Sequence, residues 1–335
     1  MIQTSKTMIR AQTGMTMVEL LVALAIGSFL MIGAVQIYNQ SRQAFVINDS
    51  IARVQETAQF AMDTIENDMR MASNWGRTSR ALSVEGRSIL GDKNPRALPE
   101  PNVCGDGWAL DIALAVDGEN NSYTLPCLPQ PAAQLNSDII TVRRATVAPV
   151  AVDSTRLQIQ TTRIQGEIFS AVAPPATFST AINPVTGQPA STTHNLLVSS
   201  YYVANNSDLI PGTPTLRRKR LTSVGGAPTI VDEEIAPGVE NIQIQLGVDV
   251  DADNTVDRYV SPGEGVYDPN DAVNFIPGAR VITARIWLLV RGVTIENGVI
   301  DPTDYEPGDV DLGTFNDSFR RMMVSKTILL RNART

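Results

Sequence analysis

Residues 14–38 read GMTMVELLVALAIGSFLMIGAVQIY, and this stretch decides the fold. It is apolar, lies near the N-terminus behind a short leader holding Lys6 and Arg10, and contains a single charge, Glu19. A carboxylate in hydrocarbon costs several kcal/mol unless it is paired, so a charge in such a run is functional by default. From Leu20 to Val35 the run is 16 residues, softened by Gly27, Ser28 and Gly33. A stop-transfer helix needs about 20 apolar residues. A secretory signal would be followed by a small-x-small cleavage site. The nearest match, Ala25-Ile26-Gly27, lies inside the run.

Cleavage before the run gives Glu19 a partner. If the chain is cut after Gly14, Met15 becomes the N-terminus and Glu19 the fifth mature residue. An α-amino group ordinarily titrates at about 7.7–8.0 and is largely cationic at neutral pH. Glu19 then pairs with an amine at its own depth, its own or a neighbour's. Pairing with a neighbour's amine makes Glu19 an assembly contact in a bundle of apolar helices.

The segment Gly14-Met15-Thr16-Met17-Val18-Glu19-Leu20-Leu21-Val22-Ala23-Leu24-Ala25-Ile26 resembles the class III signal of type IV prepilins and pseudopilins. In that pattern a glycine precedes the cut and a glutamate stands five residues after it, as Gly14 and Glu19 do; Met15 replaces the usual phenylalanine. The resemblance implies cleavage between Gly14 and Met15 by prepilin peptidase, N-methylation of Met15, and packing of the helix into a filament core. An uncleaved signal anchor with Glu19 at the membrane interface is the alternative.

Composition bounds the rest. Once the leader and helix are set aside, about 260 residues remain, enough for one large domain or two small ones. With 43% hydrophobic and 19% charged residues the chain is globular rather than disordered. A net charge of −8 argues against a protein that binds nucleic acid over its whole surface. The two cysteines, Cys104 and Cys127, form an even pair in an exported chain and are expected to join.

Ile47, Ile51, Val54, Ala58, Ala61, Ile65, Met69 and Ala72 recur at spacings of four and three, one apolar stripe on a helix. No proline occurs before Pro95, so one helix is expected from Thr16 to Ala72, about 85 Å long. Gly27-Ser28 and Gly33 are places where it can bend. Its second half needs a partner surface, and Trp75-Gly76 is read as its end. Residues 77–103 read as loop. Strands are expected at Trp108–Val116, Asp138–Arg143, Leu157–Thr161, Leu196–Val203, Ile242–Val248, Val281–Arg291 and Arg320–Leu330, with a turn-rich stretch at Pro174–Ser191. Strands clustered behind one helix, without βαβ alternation, give an α+β class: a long N-terminal α-helix packed on a C-terminal domain of mainly antiparallel β-sheet. The expected division is a leader at 1–14, a helix at 15–75 (membrane or filament-core segment 15–38, amphipathic half 39–75) and a β-rich head at 76–335.

Several downstream segments are similar to sheet segments of the PilW family of minor pilins. They are Asp138-Ile139-Ile140-Thr141-Val142-Arg143, Tyr201-Tyr202-Val203, Gly238-Val239-Glu240-Asn241-Ile242-Gln243-Ile244-Gln245 with Gly247-Val248-Asp249, Ala284-Arg285-Ile286-Trp287-Leu288-Leu289-Val290-Arg291, and the ending Phe319-Arg320-Arg321 … Leu330-Arg331-Asn332. The resemblance implies a minor pilin that is anchored by one helix in the inner membrane with a periplasmic head. It is then built into a tip or initiation complex of a type IV pilus. The implied partners are other minor pilins, the major pilin, a tip adhesin, the inner-membrane platform protein and the prepilin peptidase, with no direct nucleic-acid contact. A J-type pseudopilin of type II secretion, and a membrane-anchored Ca²⁺-dependent binding module, are the other readings.

Asp249, Asp251, Asp253 and Asp257 fall at relative positions one, three, five and nine, as at the start of a Ca²⁺ loop, and Thr255 offers a backbone carbonyl. Asn254 stands where glycine is usual, though asparagine also tolerates positive φ. Val260 stands where a bidentate glutamate belongs, with Glu264 four residues on, so any Ca²⁺ site is expected to be weak. A solvated acidic hairpin is the other reading. No cofactor is required. Arg217-Arg218-Lys219-Arg220 is read as a solvated strand end or loop, Asp232-Glu233-Glu234 as solvated surface, and Arg320-Arg321 as ion-paired structural residues. The sole histidine, His194, is read as exposed, and with no nucleophile motif or phosphate loop nearby the chain is expected not to be an enzyme.

Overall fold

A computed structural model describes residues 14–334 except Asn297. Of the expected leader only Gly14 falls within this range; Lys6 and Arg10 lie outside the described residues. Helix α1 spans Met17–Arg70, with no interruption at Gly27, Ser28 or Gly33. Ser28 instead donates its hydroxyl to the Ala25 carbonyl, 2.9 Å away. The helix ends before Trp75. Met71 and Ala72 donate to the carbonyls of Asp68 and Met69, tightening the last turn, and Ser73 then takes a positive φ of 61°. The described residues form two compact units that divide within α1, after Ile51.

The second unit holds fourteen strands: β1 Val84–Glu85, β2 Val116–Glu119, β3 Ile139–Ala145, β4 Gln158–Thr161, β5 Gly166–Phe169, β6 Thr192–Ala204, β7 Thr215–Val224, β8 Ala227–Pro237, β9 Val239–Asp249, β10 Arg258–Val260, β11 Arg280–Arg291, β12 Asp304–Tyr305, β13 Gly313–Thr314 and β14 Arg321–Leu329. They form an eight-stranded sheet, ordered β1-β5-β4-β6-β3-β2 with β7 and β8 continuing from β6, a four-stranded sheet ordered β10-β9-β11-β14, and the pair β12-β13. All described pairings are antiparallel except the short β1–β5 pair. The class is α+β, as the clustering of strands behind one helix implies.

The stripe on α1 becomes the centre of the head. Val54, Ala58, Ala61, Ile65, Met69 and Ala72 are buried against β3, β9 and β11 through Ile140, Val142, Ile242, Ile244, Ile286 and Leu288. Burying a side chain such as Ile65 or Met69 contributes about 1.5–3 kcal/mol. The alanines let the sheets approach the helix closely. Polar contacts fix the rotation of the helix. Asp68 accepts from the Arg144 guanidinium at 2.7 Å and from the Tyr201 hydroxyl at 2.6 Å, both on the larger sheet, while Glu66 pairs with Lys326 of β14. The Lys326 ammonium and the Arg70 guanidinium, opposed by burial, hold the Glu66 carboxyl below its ordinary pKa.

The expected strand at Trp108–Val116 is not one: residues 105–114 fold as successive turns and only Val116 joins β2. Gly105 and Gly107 take positive φ, and the Glu100 carboxylate accepts the N–H groups of Gly107, Ala109 and Leu110. From the other side the buried Arg143 guanidinium donates to the carbonyls of Trp108 and Leu114. A distant carboxylate and a distant guanidinium thus take the hydrogen bonds that a strand would have given to a neighbour. β5, β7 and β8 add to the expected strands. The β7–β8 hairpin has a signal in the sequence, Gly225-Gly226, with both glycines at positive φ as a two-residue primed turn requires.

Asp138, fully buried beside β3, joins the two large sheets. One carboxylate oxygen accepts the N–H of Asn121 at 2.8 Å and the other the N–H of Ile244 in β9 at 2.7 Å. Burial raises its pKa from 3.8 to about 7, against the pull of those two donors and with a smaller push from Asp309. The folded state thus favours the protonated carboxyl more than the unfolded chain does. The stability this group contributes is fully present below about pH 4 and is lost as the pH rises towards 7. Carbon-13 titration of the Asp138 carboxyl is expected to show a midpoint near 7; a midpoint near 4 would contradict the burial argument.

Candidate functional site

Among the described residues of the first unit, Met17–Ile51 is helix. Its apolar side chains are exposed along its length, Phe29 at 80% and Leu30 at 68% among them. Counted from Met17, this stretch is long and apolar enough to cross a membrane, and none of it is buried within the protein. Such a surface is stable in lipid or against other apolar helices, not in water.

Thr16 and Glu19 build the start of the helix. Glu19 accepts the N–H and the hydroxyl of Thr16, each at 2.9 Å, while the Glu19 N–H donates to the Thr16 hydroxyl at 3.3 Å. This reciprocal pattern is a capping box: two otherwise unpaired backbone donors at the helix end are satisfied together. The threonine three residues before the glutamate was the sequence signal for it. Glu19 therefore has a structural task within its own chain, beside the amine pairing inferred from the sequence. Met15, next to the cap, is exposed.

Cys104 and Cys127 form a disulfide. It closes a loop around residues that enter the second core cluster, where Cys104 lies with Trp75, Trp108, Leu110 and Ile112. A cross-link of this span lowers unfolded-state entropy by about 3 kcal/mol when its effect is counted as chain entropy alone.

The structure corrects the readings of the basic run, the acid run and His194. Arg217-Arg218-Lys219-Arg220 lies in β7, and Arg217 and Lys219 are each only 4% exposed. Register places Arg217 opposite Glu234, Arg218 opposite Glu233 and Lys219 opposite Asp232 in β8. Arg217 donates to Asp232 and Asp208, Lys219 to Asp232 and the Leu128 carbonyl, and Arg218 and Arg220 to Glu233. The basic and acidic runs are thus one cross-strand ladder, and Arg217 and Lys219 have no free charge to offer a nucleic acid. His194 is buried in β6 with its ring against Gly76, bonded to the Thr192 hydroxyl and the Thr146 carbonyl. Burial, partly opposed by the Thr146 bond, holds its pKa below the ordinary value. Arg321 pairs with Glu240 and Asp317, and Arg320 with Glu296, as structural ion pairs.

The acidic turn joins β9 to β10. Asp249, Asp251 and Asp257 bring carboxylate oxygens within 4.8 Å of one another, and only Asp249 is buried. Asp249 accepts the N–H groups of Ala252 and Asn254, residues that both take positive φ. Asp253 does not join the carboxylate group but accepts the N–H and hydroxyl of Thr255, and Asp257 accepts the Val250 N–H. A single guanidinium nitrogen of Arg280, at the start of β11, reaches Asp249 at 3.1 Å, the Asn254 side-chain oxygen at 3.0 Å and the Ala252 carbonyl at 3.4 Å. Burial would raise the Asp249 pKa, but the Asn254 N–H, Arg280 and the Ala252 N–H together hold it below its ordinary value. Arg280 thus gathers the loop oxygens as a bound cation would.

Two family models match the chain. Residues 9–35 match the prokaryotic N-terminal methylation motif, and residues 200–332 match the Type IV Pilus-assembly protein W family, PilW. No curated protein matches it. Among solved structures it is similar to a type IV-like pilin from Thermus thermophilus, at 13% identity over 66% of this chain and 85% of that one, with a TM-score of 0.31, a likeness too distant to bear on the fold. The methylation motif thus overlaps the start of the exposed apolar helix, and the PilW match begins within β6 and runs through β14.

Arg280 makes the cation question testable. Leaving Asp249 buried without its guanidinium costs about 3 kcal/mol. Arg280→Gln is therefore expected to lower the melting temperature of the mature chain in detergent by several degrees, with millimolar Ca²⁺ restoring part of the loss. The native chain is expected to melt at the same temperature in Ca²⁺ and in chelator. A native melting temperature that rises in Ca²⁺, and stops rising in Asp251→Ala/Asp253→Ala, would make the ion a resident of the loop instead.

Proposed function

We propose that this chain is a minor pilin, cut between Gly14 and Met15 by prepilin peptidase and methylated on Met15. It acts by assembly, not catalysis, and requires no cofactor. Before assembly its apolar helix crosses the inner membrane once, with the head in the periplasm. The helix is then drawn into the fibre. Residues from 52 onward form a large head that would crowd its neighbours if repeated along a shaft, which favours a place in the tip or initiation complex that primes the pilus. Its partners there are other minor pilins, the major pilin and a tip adhesin, with the platform protein as the site of extraction.

The observation that carries this reading is the bare apolar half of α1, which begins in a Thr16–Glu19 capping box just after a glycine. A secreted soluble protein does not keep such a surface, and a simple anchor has no use for a glycine–glutamate spacing. Mass spectrometry of the mature N-terminus is the test. The native chain is expected to begin with a methylated Met15, and Gly14→Trp, which fills the peptidase site, is expected to leave the full-length precursor. A mature chain that starts elsewhere would overturn the reading.

A further inference from the structure

Where α1 ends within the head lies a cleft of about 560 Å³. Five stretches of chain meet there: Ser73 after the helix, the single turn at Ala81–Ser83, the residues leading into β2, the β10–β11 connection, and residues 330–333 behind β14. The floor is apolar and buried, formed by Val116, Val281 and Leu330. Its walls are small: Ala81, Ala113, Ala115, Ala279 and Ala333 leave unfilled the volume that larger side chains would take. The cleft opens to solvent beside Gly278, where an added Cβ would meet nothing within 4 Å. Its size is that of a site for a small organic molecule.

The charge on this cleft has one sign. Arg80 and Arg280 line it, and no carboxylate does. Other polar groups along it are already engaged within the fold. The Asn332 amide donates to the Ala72 carbonyl, the Ser83 hydroxyl to the Arg80 carbonyl, and the Tyr267 hydroxyl accepts the Gly263 N–H. Tyr267 therefore offers the cleft a ring rather than a donor, as Phe275 does. Arg280 commits Nε and Nη2 to the acidic turn, which leaves Nη1 without a partner among the described residues. The Arg80 guanidinium is exposed and has no hydrogen bond or ion pair among them; only its backbone is bonded, to Thr78 and Ser83. An exposed arginine is ordinary by itself. At the rim of an apolar cleft that no acid lines, it sets the sign of what can bind.

We propose that this cleft binds a small organic acid with an aromatic body, its carboxylate at Arg80 and its body on the floor of Val116, Val281 and Leu330. One free guanidinium fork matches the two oxygens of a carboxylate, and the bond is charge-assisted. The Arg280 Nη1 adds positive potential from the opposite rim. Tyr267 and Phe275 favour a flat aromatic body over a flexible chain, because ring pairs gain beyond the area they bury. Entry of the body releases water from apolar walls, which supplies the driving force, while Arg80 supplies selection for an anion. Binding here goes beyond assembly: it needs only the folded head and does not depend on the pilin reading.

The test uses the full-length chain in isolated membranes and the photoreactive aryl acid 4-benzoylbenzoate, with its uncharged methyl ester as comparison. On irradiation the acid is expected to label the chain saturably, with adducts mapping to the segments around Leu82, Ala115 and Phe275. Excess 4-phenylbutyrate is expected to suppress the labelling. The ester is expected to label these segments about tenfold less, the loss of one charge-assisted contact. Arg80→Gln is expected to lower labelling by the acid about tenfold and to leave labelling by the ester unchanged, a split that a merely structural arginine would not produce. Leu82→Glu, an exposed position beside Arg80, is expected to abolish labelling by the acid without disturbing the core. Equal labelling by acid and ester would make the cleft an apolar groove for a neighbouring subunit and overturn the acid site. Adducts that map elsewhere, labelling that 4-phenylbutyrate does not suppress, or labelling of Arg80→Gln by the acid within twofold of native would each overturn it as well.

Discussion

The docking of the second half of α1 between two sheets is the constraint on which the head depends. Its apolar stripe alone would allow the helix to roll. Asp68 ties it to Arg144 and Tyr201 on the larger sheet, and Glu66 ties it to Lys326 on the smaller one. These carboxylates are two residues apart, so they leave the helix on different sides of the stripe and engage different sheets. Asp138 then links the sheets directly, through the Ile244 N–H. The apolar side chains of the other half, from Met17 to Ile47, are instead exposed.

The same chemistry is used in opposite ways at the two ends of the chain. In the head, charges are matched within the fold: the β7–β8 ladder, the Arg280–Asp249 pair and the Arg321 cluster each satisfy groups whose exposure would otherwise invite partners. At the N-terminus the apolar surface is left bare and the one acid is held at the first turn. Its carboxylate has two oxygens, and the capping bonds from Thr16 engage only one of them. An amine at that depth finds an acceptor already placed.

What was legible in the sequence were features with a local period or fixed spacing. The three-and-four recurrence from Ile47 to Ala72 gave the buried face of α1 from Val54 onward, while Ile47 is exposed and Ile51 only half-buried; alternation gave β3, β4, β6, β9, β11 and β14 within a few residues. What was not legible depended on distant partners. WALDIALAV alternates like a strand, yet Glu100 and Arg143 capture its backbone. The basic run looked solvated because only strand register reveals that Asp232–Glu234 stand opposite it. His194 looked exposed because its neighbours are polar in sequence, whereas Gly76 and Thr146 close over it in space. For the acidic turn, the spacing of the aspartates could not show that Arg280, 31 residues after Asp249, reaches the same oxygens.

The central claim is that the charge of Glu19, and not only its capping role, builds this chain into a fibre. Glutamine at the third helical position preserves a capping box, so Glu19→Gln separates the two roles. The decisive measurement is the ratio of this chain in sheared fibres to that in the inner membrane for native protein and for Glu19→Gln. The account predicts normal membrane insertion and a marked loss from fibres for the glutamine variant. Fibre recovery equal to that of the native chain would contradict it.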